Sequence, residues 1–396
     1  MYNNTPKANR LHISIFGKRN AGKSSLINAL TNQSLSVVSE IPGTTTDPVS
    51  KAMELLPLGP IVLIDTAGLD DTGSLGELRI KKTKEVIDKT DLGVLVFDAC
   101  SENITNESKW YADLKEKNIP TIGVINKIDL SKKNCAFIKS HFSIPFVEIS
   151  AKEKKNISGL KKLLIDNAPI DFEMPTILGD IIKPKDRIVL VAPQDIQAPK
   201  GRLILPQVQV IRDILDNDGL ALTVKDTELL DILDSLKDDP SLVITDSQMF
   251  KKVNELIPKH LKLTSFSILM ARYKGDLDLF VKGAKAINSL KPNDNILIAE
   301  ACTHHALKGD IAREKLPKLL EKKAGGRLNI VNISGVDFPE DLSDYKLIIH
   351  CGSCMFTRRQ LLSRLEHVKE QNVPITNFGV ALAELNGILD RACSFL

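Results

Sequence analysis

Gly17-Lys-Arg-Asn-Ala-Gly22-Lys23-Ser24 lies between a short apolar run, Leu11 to Phe16, and a stretch of helical character from Lys23 to about Leu30. That placement decides the fold. Glycines at the ends of the octapeptide let backbone N–H groups curl around phosphate oxygens at a helix N-terminus. Lys23 would reach the β and γ phosphates, and the Ser24 hydroxyl would bind Mg²⁺. Working outward, further short apolar runs at Ile61 to Ile64, Leu92 to Phe97, Thr121 to Ile125 and Pro145 to Ile149 alternate with helix-like stretches. Such alternation predicts a parallel sheet covered on both faces.

The same alternation restarts twice beyond a connector, Asn167 to Pro184, that carries Pro169, Pro175, Gly179 and Pro184. In the second unit, strands are predicted at Arg187 to Ala192, Leu220 to Val224 and Leu242 to Thr245, with helices near Gln207 to Leu215, Thr227 to Leu236 and Ser247 to Leu256. In the third, strands are predicted at Asn295 to Ala299, Leu328 to Asn332, Lys346 to Ile349 and Pro374 to Thr376. Its helices are Pro317 to Lys323, Thr357 to Glu370 and Val380 to Leu389. The expected class is therefore α/β, an N-terminal P-loop G domain (1–168) followed by two smaller parallel-sheet α/β domains (180–265 and 270–396).

Composition supports this reading. With 396 residues, 43% hydrophobic and 26% charged, the chain resembles an ordinary globular protein too long for one core. A net charge of +3 and 5% aromatic residues give no general drive toward nucleic acid or anionic lipid. Apolar runs such as Val94 to Phe97 are too short to cross a bilayer. The polar stretch Met1 to Arg10 lacks a secretory signal's apolar segment, which points to the cytoplasm. Six cysteines in a reducing compartment are expected as packing residues, nucleophiles or ligands rather than disulfides.

Other motifs refine the nucleotide. Asp65-Thr-Ala-Gly68 follows a strand and puts a carboxylate where Mg²⁺ would sit. Asn126-Lys127-Ile128-Asp129 follows another strand, and the Asp129 carboxylate can accept both N1–H and the exocyclic amine of guanine. GTP is thereby preferred over ATP. Ser150-Ala151-Lys152 would support the base through its backbone. Every element falls at the carboxyl end of a predicted strand, where open α/β sheets bind ligands.

These residues resemble the translation-factor-related GTPases, over about Leu11 to Leu164, and within them the branch of tRNA-modifying and ribosome-assembly G proteins. The resemblance implies that Gly43 to Asp47 is the first switch, with Thr45 closing on Mg²⁺. Signalling GTPases carry a water-orienting glutamine where this chain has Leu69. Intrinsic hydrolysis is then expected to be slow, on the order of 10⁻⁴ to 10⁻² s⁻¹. The resemblance implies two substitutes, Asn20 as a ligand to K⁺ beside the phosphates and Glu77 as a water-positioning second-switch residue.

A second constellation lies in the third unit. Cys302-Thr303-His304 is expected at the carboxyl end of one strand and His350-Cys351-Gly352-Ser353-Cys354 at that of another, with 45 residues between His304 and His350. The two-residue gap lets Cys351 and Cys354 grip one metal or cluster, and Gly352 is expected to permit the tight loop. With Cys302 they form a three-thiolate site, which suits an iron–sulfur cube with one unusual corner. Glu300, His304, His305 and His350 are candidates for that corner. A zinc site of the three cysteines and one histidine is the alternative, because structural zinc prefers four closed ligands. Cys100, Cys135 and Cys393 are expected to be bystanders.

A G domain joined to Cys-x-His and His-Cys-x-x-Cys resembles the FeFe-hydrogenase H-cluster maturation GTPases, as do the segment Ala198 to Asp216 and the run Ala312 to Lys318. The resemblance covers the whole chain. It implies a GTP-binding domain, a dimerisation domain and a domain holding a 4Fe-4S cluster, in a cytoplasmic, anaerobic scaffold and carrier. Such a protein receives a transient diiron precursor made with two radical-SAM maturases and delivers it to apo FeFe-hydrogenase. The implied cofactors are GTP/GDP, Mg²⁺, K⁺ and the cluster, and the implied state is a homo-oligomer, dimer or higher. The runner-up is a tRNA-modification or ribosome-assembly GTPase with a structural zinc site.

Overall fold

The computed structural model describes residues 7–31, 49–66, 76–169, 176–193, 203–301 and 310–396, without the side chains of 76–81. The chain divides into two compact units, Met1–Phe172 and Glu173–Leu396. In the first, the strands are β1 (Leu11–Phe16), β2 (Val49–Leu55), β3 (Gly59–Asp65), β4 (Leu92–Asp98), β5 (Thr121–Asn126) and β6 (Phe146–Glu148). The helices are α1 (Lys23–Thr31), α2 (Gly76–Asp88), α3 (Thr105–Glu116), α4 (Cys135–His141) and α5 (Ile157–Asn167). The sheet order is β2-β3-β1-β4-β5-β6.

Alternation of side chains along each strand builds two layers of core. Leu11, Ile13, Ile15, Val94 and Val96 pack with α1 and α5 on one face. Phe16, Leu95 and Phe97 pack with Val86, Trp110, Leu114 and Ile138 on the other. A strand buried on both faces reads as a continuous apolar run, which is why these strands were visible in the sequence. The exception is β2, an antiparallel edge paired with β3. Val49 is exposed and Leu55 alone of its residues is buried, so no apolar alternation announces it.

The second unit holds two four-stranded parallel sheets. One has order β10-β9-β7-β8, from β7 (Arg187–Val191), β8 (Leu220–Val224), β9 (Leu242–Thr245) and β10 (Leu263–Ser265). The other has order β12-β11-β13-β14, from β11 (Asn295–Glu300), β12 (Asn329–Ser334), β13 (Leu347–His350) and β14 (Ile375–Asn377). The helices are α6 (Leu205–Asp216), α7 (Leu229–Ser235), α8 (Phe250–Leu256), α9 (Phe266–Lys274), α10 (Leu277–Ala284), α11 (Leu316–Ala324), α12 (Arg358–Glu370), α13 (Phe378–Leu385) and α14 (Leu389–Cys393). The two sheets expected as separate domains share a core. Val189, Val191 and Val243 pack in one cluster with Ile296, Ile298 and Ile348, while Ile188 and Leu190 face a second cluster with Val210 and Ile214.

Helix α9 stands between these cores, giving Ile268 and Ala271 to the shared one and Phe266, Leu269 and Met270 to the other. A helix apolar all round is a buried helix. It lacks the one-sided pattern of a surface helix, and the sequence reading passed over it together with β10 and α10. Three predicted helices are also divided. Thr227 to Leu236 begins within a 3₁₀ turn, Asp226–Glu228, before α7. Ser247 to Leu256 opens as a 3₁₀ turn, Ser247–Met249, before α8. Val380 to Leu389 is cut at Gly387, whose φ of 68° ends a right-handed helix and separates α13 from α14. Among the described residues no helix is long and apolar enough to cross a membrane.

Gly283 of α10 is forced by close approach. A Cβ there would lie 1.8 Å from the Ile375 carbonyl oxygen of β14, and backbone cannot swing aside. Gly283→Ala is expected to destabilise the second unit by roughly 1–3 kcal/mol, read as an earlier thermal transition, with nucleotide binding by the first unit unchanged.

Candidate functional site

The phosphate loop leaves β1 against β4. A Cβ on Gly17 would meet the Val96 carbonyl oxygen at 2.6 Å, and one on Gly22 would meet Asn126 Nδ2 at 2.2 Å. Asn20 (φ 65°) and Gly22 (φ 95°) are left-handed, an alternation that turns successive N–H groups inward as an anion-binding nest. Lys23 opens α1. Its buried ammonium donates to the carbonyls of Gly17 and of Lys18, the latter at 3.0 Å, and so spans the loop mouth. Ser24 Oγ donates to Asp65 Oδ2 at 2.8 Å. Two of the three residues expected at Mg²⁺ therefore stand side by side, a hydroxyl and a carboxylate, the oxygen donors this hard cation prefers.

The guanine side is braced by Asn126 at the end of β5. Its Nδ2 donates to the Ala21 carbonyl at 2.9 Å and its Oδ1 accepts from Ala151 N–H at 3.0 Å. Expected as a ligand residue, it works as a clamp joining the phosphate loop to the Ser150-Ala151-Lys152 turn. That turn is closed by paired backbone hydrogen bonds between Ser150 and Lys155. Lys127, left-handed at φ 67°, pairs with Asp98 at 2.6 Å. Burial opposes the Asp98 charge, yet Lys127 and the Cys100 N–H hold its carboxyl below the ordinary value. The sequence reading missed Asp98. Its only signal is position, a carboxylate closing an apolar strand.

Asp129 is held ionised, first by a hydrogen bond from the Ser150 side chain. Its Oδ1 is shielded from water and makes no hydrogen bond among the described residues. A charged acceptor with one oxygen free is what a donor edge such as that of guanine requires. Beside the loop, Glu107 of α3 is buried, accepts from Lys18 N–H at 3.4 Å and pairs with Lys18 Nζ at 3.5 Å. Both line a cavity of about 90 Å³, too small for a nucleoside when ligand pockets run to about 300 Å³ or more.

Several expected residues lie outside the described segments: Thr45, Gly68 and Leu69 in the nucleotide half, and Cys302, His304 and His305 in the other. Glu77 falls in α2, with its side chain undescribed.

In the third sheet, parallel register sets Ala299 opposite His350 and His350 opposite Asn377. The chain emerges from β13 at Cys351. Its Sγ accepts from the Ala301 N–H at 3.0 Å and the Ser353 N–H at 3.4 Å. N–H donors aimed at sulfur favour a thiolate, so the donor set present suits a metal or cluster ligand. The expected role of Gly352 is corrected. Ser353 takes the left-handed conformation, at φ 53°, whereas a Cβ on Gly352 would meet nothing closer than Ser267 Oγ at 3.9 Å.

His350 is fully buried and has protein partners at both ring nitrogens. Nδ1 faces the Cys351 carbonyl at 3.0 Å and Ser353 Oγ at 3.1 Å, and Nε2 faces Arg364 Nη1 at 2.9 Å. Burial, then the Arg364 charge, pushes its pKa down to about 3. It is a neutral buttress of the loop. Glu300 is buried at the end of β11, 3.6 Å from Arg313. Cys393 is a thiol driven by burial up to about 12, Cys135 is core and Cys100 is exposed. Among the described residues no three side chains group as a metal site, and Cys302, the expected third thiolate, is not one of them.

Residues 12–127 match the model of a 50S ribosome-binding GTPase, residues 177–275 the hydrogen maturase F dimerization domain, and residues 278–395 the hydrogen maturase F tetramerization domain. The tRNA modification GTPase MnmE of Thermoanaerobacter sp. is 44% identical over 124 residues, 31% of this chain and 26% of that protein. GTPase Der of Mycoplasmopsis pulmonis is 36% identical over 168 residues, 39% of this chain and 38% of that protein. The chain thus spans roughly a quarter to two fifths of the length of these relatives. The crystal structure of the G domain of the T. maritima FeoB iron transporter is similar at 25% identity, over 40% of this chain and 98% of that one, with a TM-score of 0.32.

Burial raises the Glu107 carboxyl above its ordinary 4.5, against the pull of Lys18. The folded state then holds this proton more tightly than the unfolded state, so the group's contribution to stability falls as pH rises through and above 4.5. Glu107→Gln should melt above the parent near neutral pH, with the gap closing below 4.5; scans across that range check the sign.

Proposed function

With a GTPase domain followed by the hydrogen maturase F dimerization and tetramerization domains, the chain has the architecture of a hydrogen maturase F, and from it we propose a scaffold and carrier that hydrolyses GTP. The pairing of those domains in one chain carries the reading. The tRNA modification GTPase MnmE of Thermoanaerobacter sp. is similar over 31% of the chain, whereas the hydrogen maturase F matches cover 177–275 and 278–395, so the runner-up is set aside.

In the nucleotide half, the nest of Gly17 to Gly22 receives the phosphates and Lys23 offsets their charge. Ser24 and Asp65 hold Mg²⁺, with Thr45 closing the site. Asp129 reads guanine while Asn126 keeps the loop and the base turn in register. Catalysis of phosphoryl transfer is mostly positioning and charge. With Leu69 where a glutamine would orient water, turnover is slow, and Asn20 recruits K⁺ beside the phosphates, with Glu77 as the water-positioning group.

In the other half, Cys351, Cys354 and Cys302 hold a 4Fe-4S cluster. Such a cluster supplies an iron corner whose weaker ligand can be exchanged for a two-iron fragment. Two observations support the assignment: N–H donors converge on Cys351 Sγ, and one of them belongs to Ala301, the residue before Cys302. Because His350 is engaged at both nitrogens, the fourth position falls to Glu300, His304 or His305. The dimerization and tetramerization domains make the homo-oligomer, and apo FeFe-hydrogenase and two radical-SAM maturases are the proposed partners in an anaerobic cytoplasm.

Phosphoryl transfer needs no iron, so GTP hydrolysis acts as a timer of partner affinity. After anaerobic reconstitution with iron and sulfide, the parent should hold about four irons per chain. Lys23→Ala should lose at least about 10²-fold in GTP hydrolysis with iron content unchanged, and Cys351→Ser the reverse; joint loss in both variants would contradict the two-site reading. Hydrolysis should also be faster in KCl than in NaCl at equal ionic strength, and equal rates would remove K⁺ from the account.

A further inference from the structure

Lys274, the last residue of α9, is 2% exposed. Its ammonium donates to three carbonyls of the cysteine loop, those of Ser353 (3.2 Å), Cys354 (3.4 Å) and Phe356 (3.0 Å). A second hold comes from the same helix. Ser267 Oγ donates to Asn377 Oδ1 at 3.0 Å, and Asn377 Nδ2 donates to the Cys351 carbonyl at 3.2 Å. Both ends of the Cys351–Cys354 loop are therefore fastened to α9, one directly and one through Asn377. The helix has little freedom to shift, since a Cβ on Gly379 of α13 would come within 2.7 Å of Ser267 Cβ.

The two partners come from different matched segments. Helix α9 closes the segment that matches the dimerization domain, 177–275, and the loop lies in the one that matches the tetramerization domain, 278–395. On its other side α9 packs with α6 through Leu269 and Met270 against Val210 and Ile214, and α6 shows Val208 and Leu215 to solvent. Burying an ammonium costs several kcal/mol unless acceptors surround it. A compact charge with three donors suits three carbonyls converging from one loop.

We propose that Lys274 is a positioning residue for the cysteine site: it fixes the backbone between Ser353 and Phe356 and sets an ammonium against the carbonyls of the cysteine loop, linking the dimerization segment to metal retention. This rests on the reading of Cys351 and Cys354 as cluster ligands. A positive charge behind the site stabilises thiolate ligands and the more negative, reduced form of whatever cluster they hold. Loss of that charge lowers the reduction potential, and loss of the anchors loosens the loop.

Lys274→Met, which keeps the stem and removes the charge, tests both parts, with Ser267→Ala as a milder variant should the first fold poorly. In metal-free protein, amide hydrogen exchange over 351–356 should be about tenfold faster in Lys274→Met and less so in Ser267→Ala. In protein reconstituted with iron and sulfide, Lys274→Met should release iron to a chelator about tenfold faster and show a more negative midpoint potential. The thermal transition of the second unit serves as the folding control. Unchanged exchange in both variants overturns the positioning role, and faster exchange with an unchanged potential overturns the charge. A parent that retains no iron, with exchange still accelerated, sinks the cluster reading while leaving the anchor in place.

Discussion

Parallel strand pairing is the constraint on which both sites depend. Because parallel neighbours run the same way, the carboxyl ends of β1, β3, β4 and β5 open on one edge of the first sheet, and those of β11, β13 and β14 on one edge of the third. Residues far apart in sequence become neighbours there without any dedicated contact to pull them together. Ser24 meets Asp65 across 41 residues at 2.8 Å, and Ala301 meets Cys351 across 50 at 3.0 Å. The apolar strand interiors, buried on both faces, fix the register that makes those meetings reproducible.

The two edges are then finished by different physics. At the nucleotide loop, backbone conformation does most of the work: left-handed Asn20 and Gly22 orient N–H groups, and glycine is required where the loop crosses Val96 and Asn126. At the cysteine loop, buried polar side chains do it. Lys274, Arg364, His350 and Asn377 each spend their donors or acceptors on the loop or its immediate support. A network of this kind is costly if half satisfied and stiff when complete. It is therefore a natural place to hold sulfurs in a fixed relation while leaving one position exchangeable.

How much of this was legible in the sequence followed the same division. The strands buried on both faces could be read, and the phosphate loop, Asp65, Asp129 and the cysteine pair could be proposed, because each rests on local residue order. The edge strand β2, with Lys51 and Glu54 in its span, gave no apolar signal, and α9, with apolar residues facing two cores, gave no one-sided period. The braces were illegible for a deeper reason. Asp98, Glu107 and Lys274 act on residues tens of positions away, and nothing in their own neighbourhood distinguishes them from solvated side chains; Asn126 was legible as a motif residue but not as a clamp. His350 shows the opposite case: next to a cysteine it reads as a ligand, whereas the Cys351 carbonyl and Ser353 engage one of its nitrogens and Arg364 the other.

The central claim is that sulfurs at one sheet edge hold an iron cube with a single non-sulfur corner. X-ray absorption at the iron and zinc edges of the reconstituted protein tests it most directly. The account predicts iron–iron scattering together with a light-atom ligand making up a small fraction of the first shell, and that fraction should be lost or altered when Glu300, His304 or His305 is replaced. A closed tetrahedral zinc centre with no metal–metal scattering would contradict it.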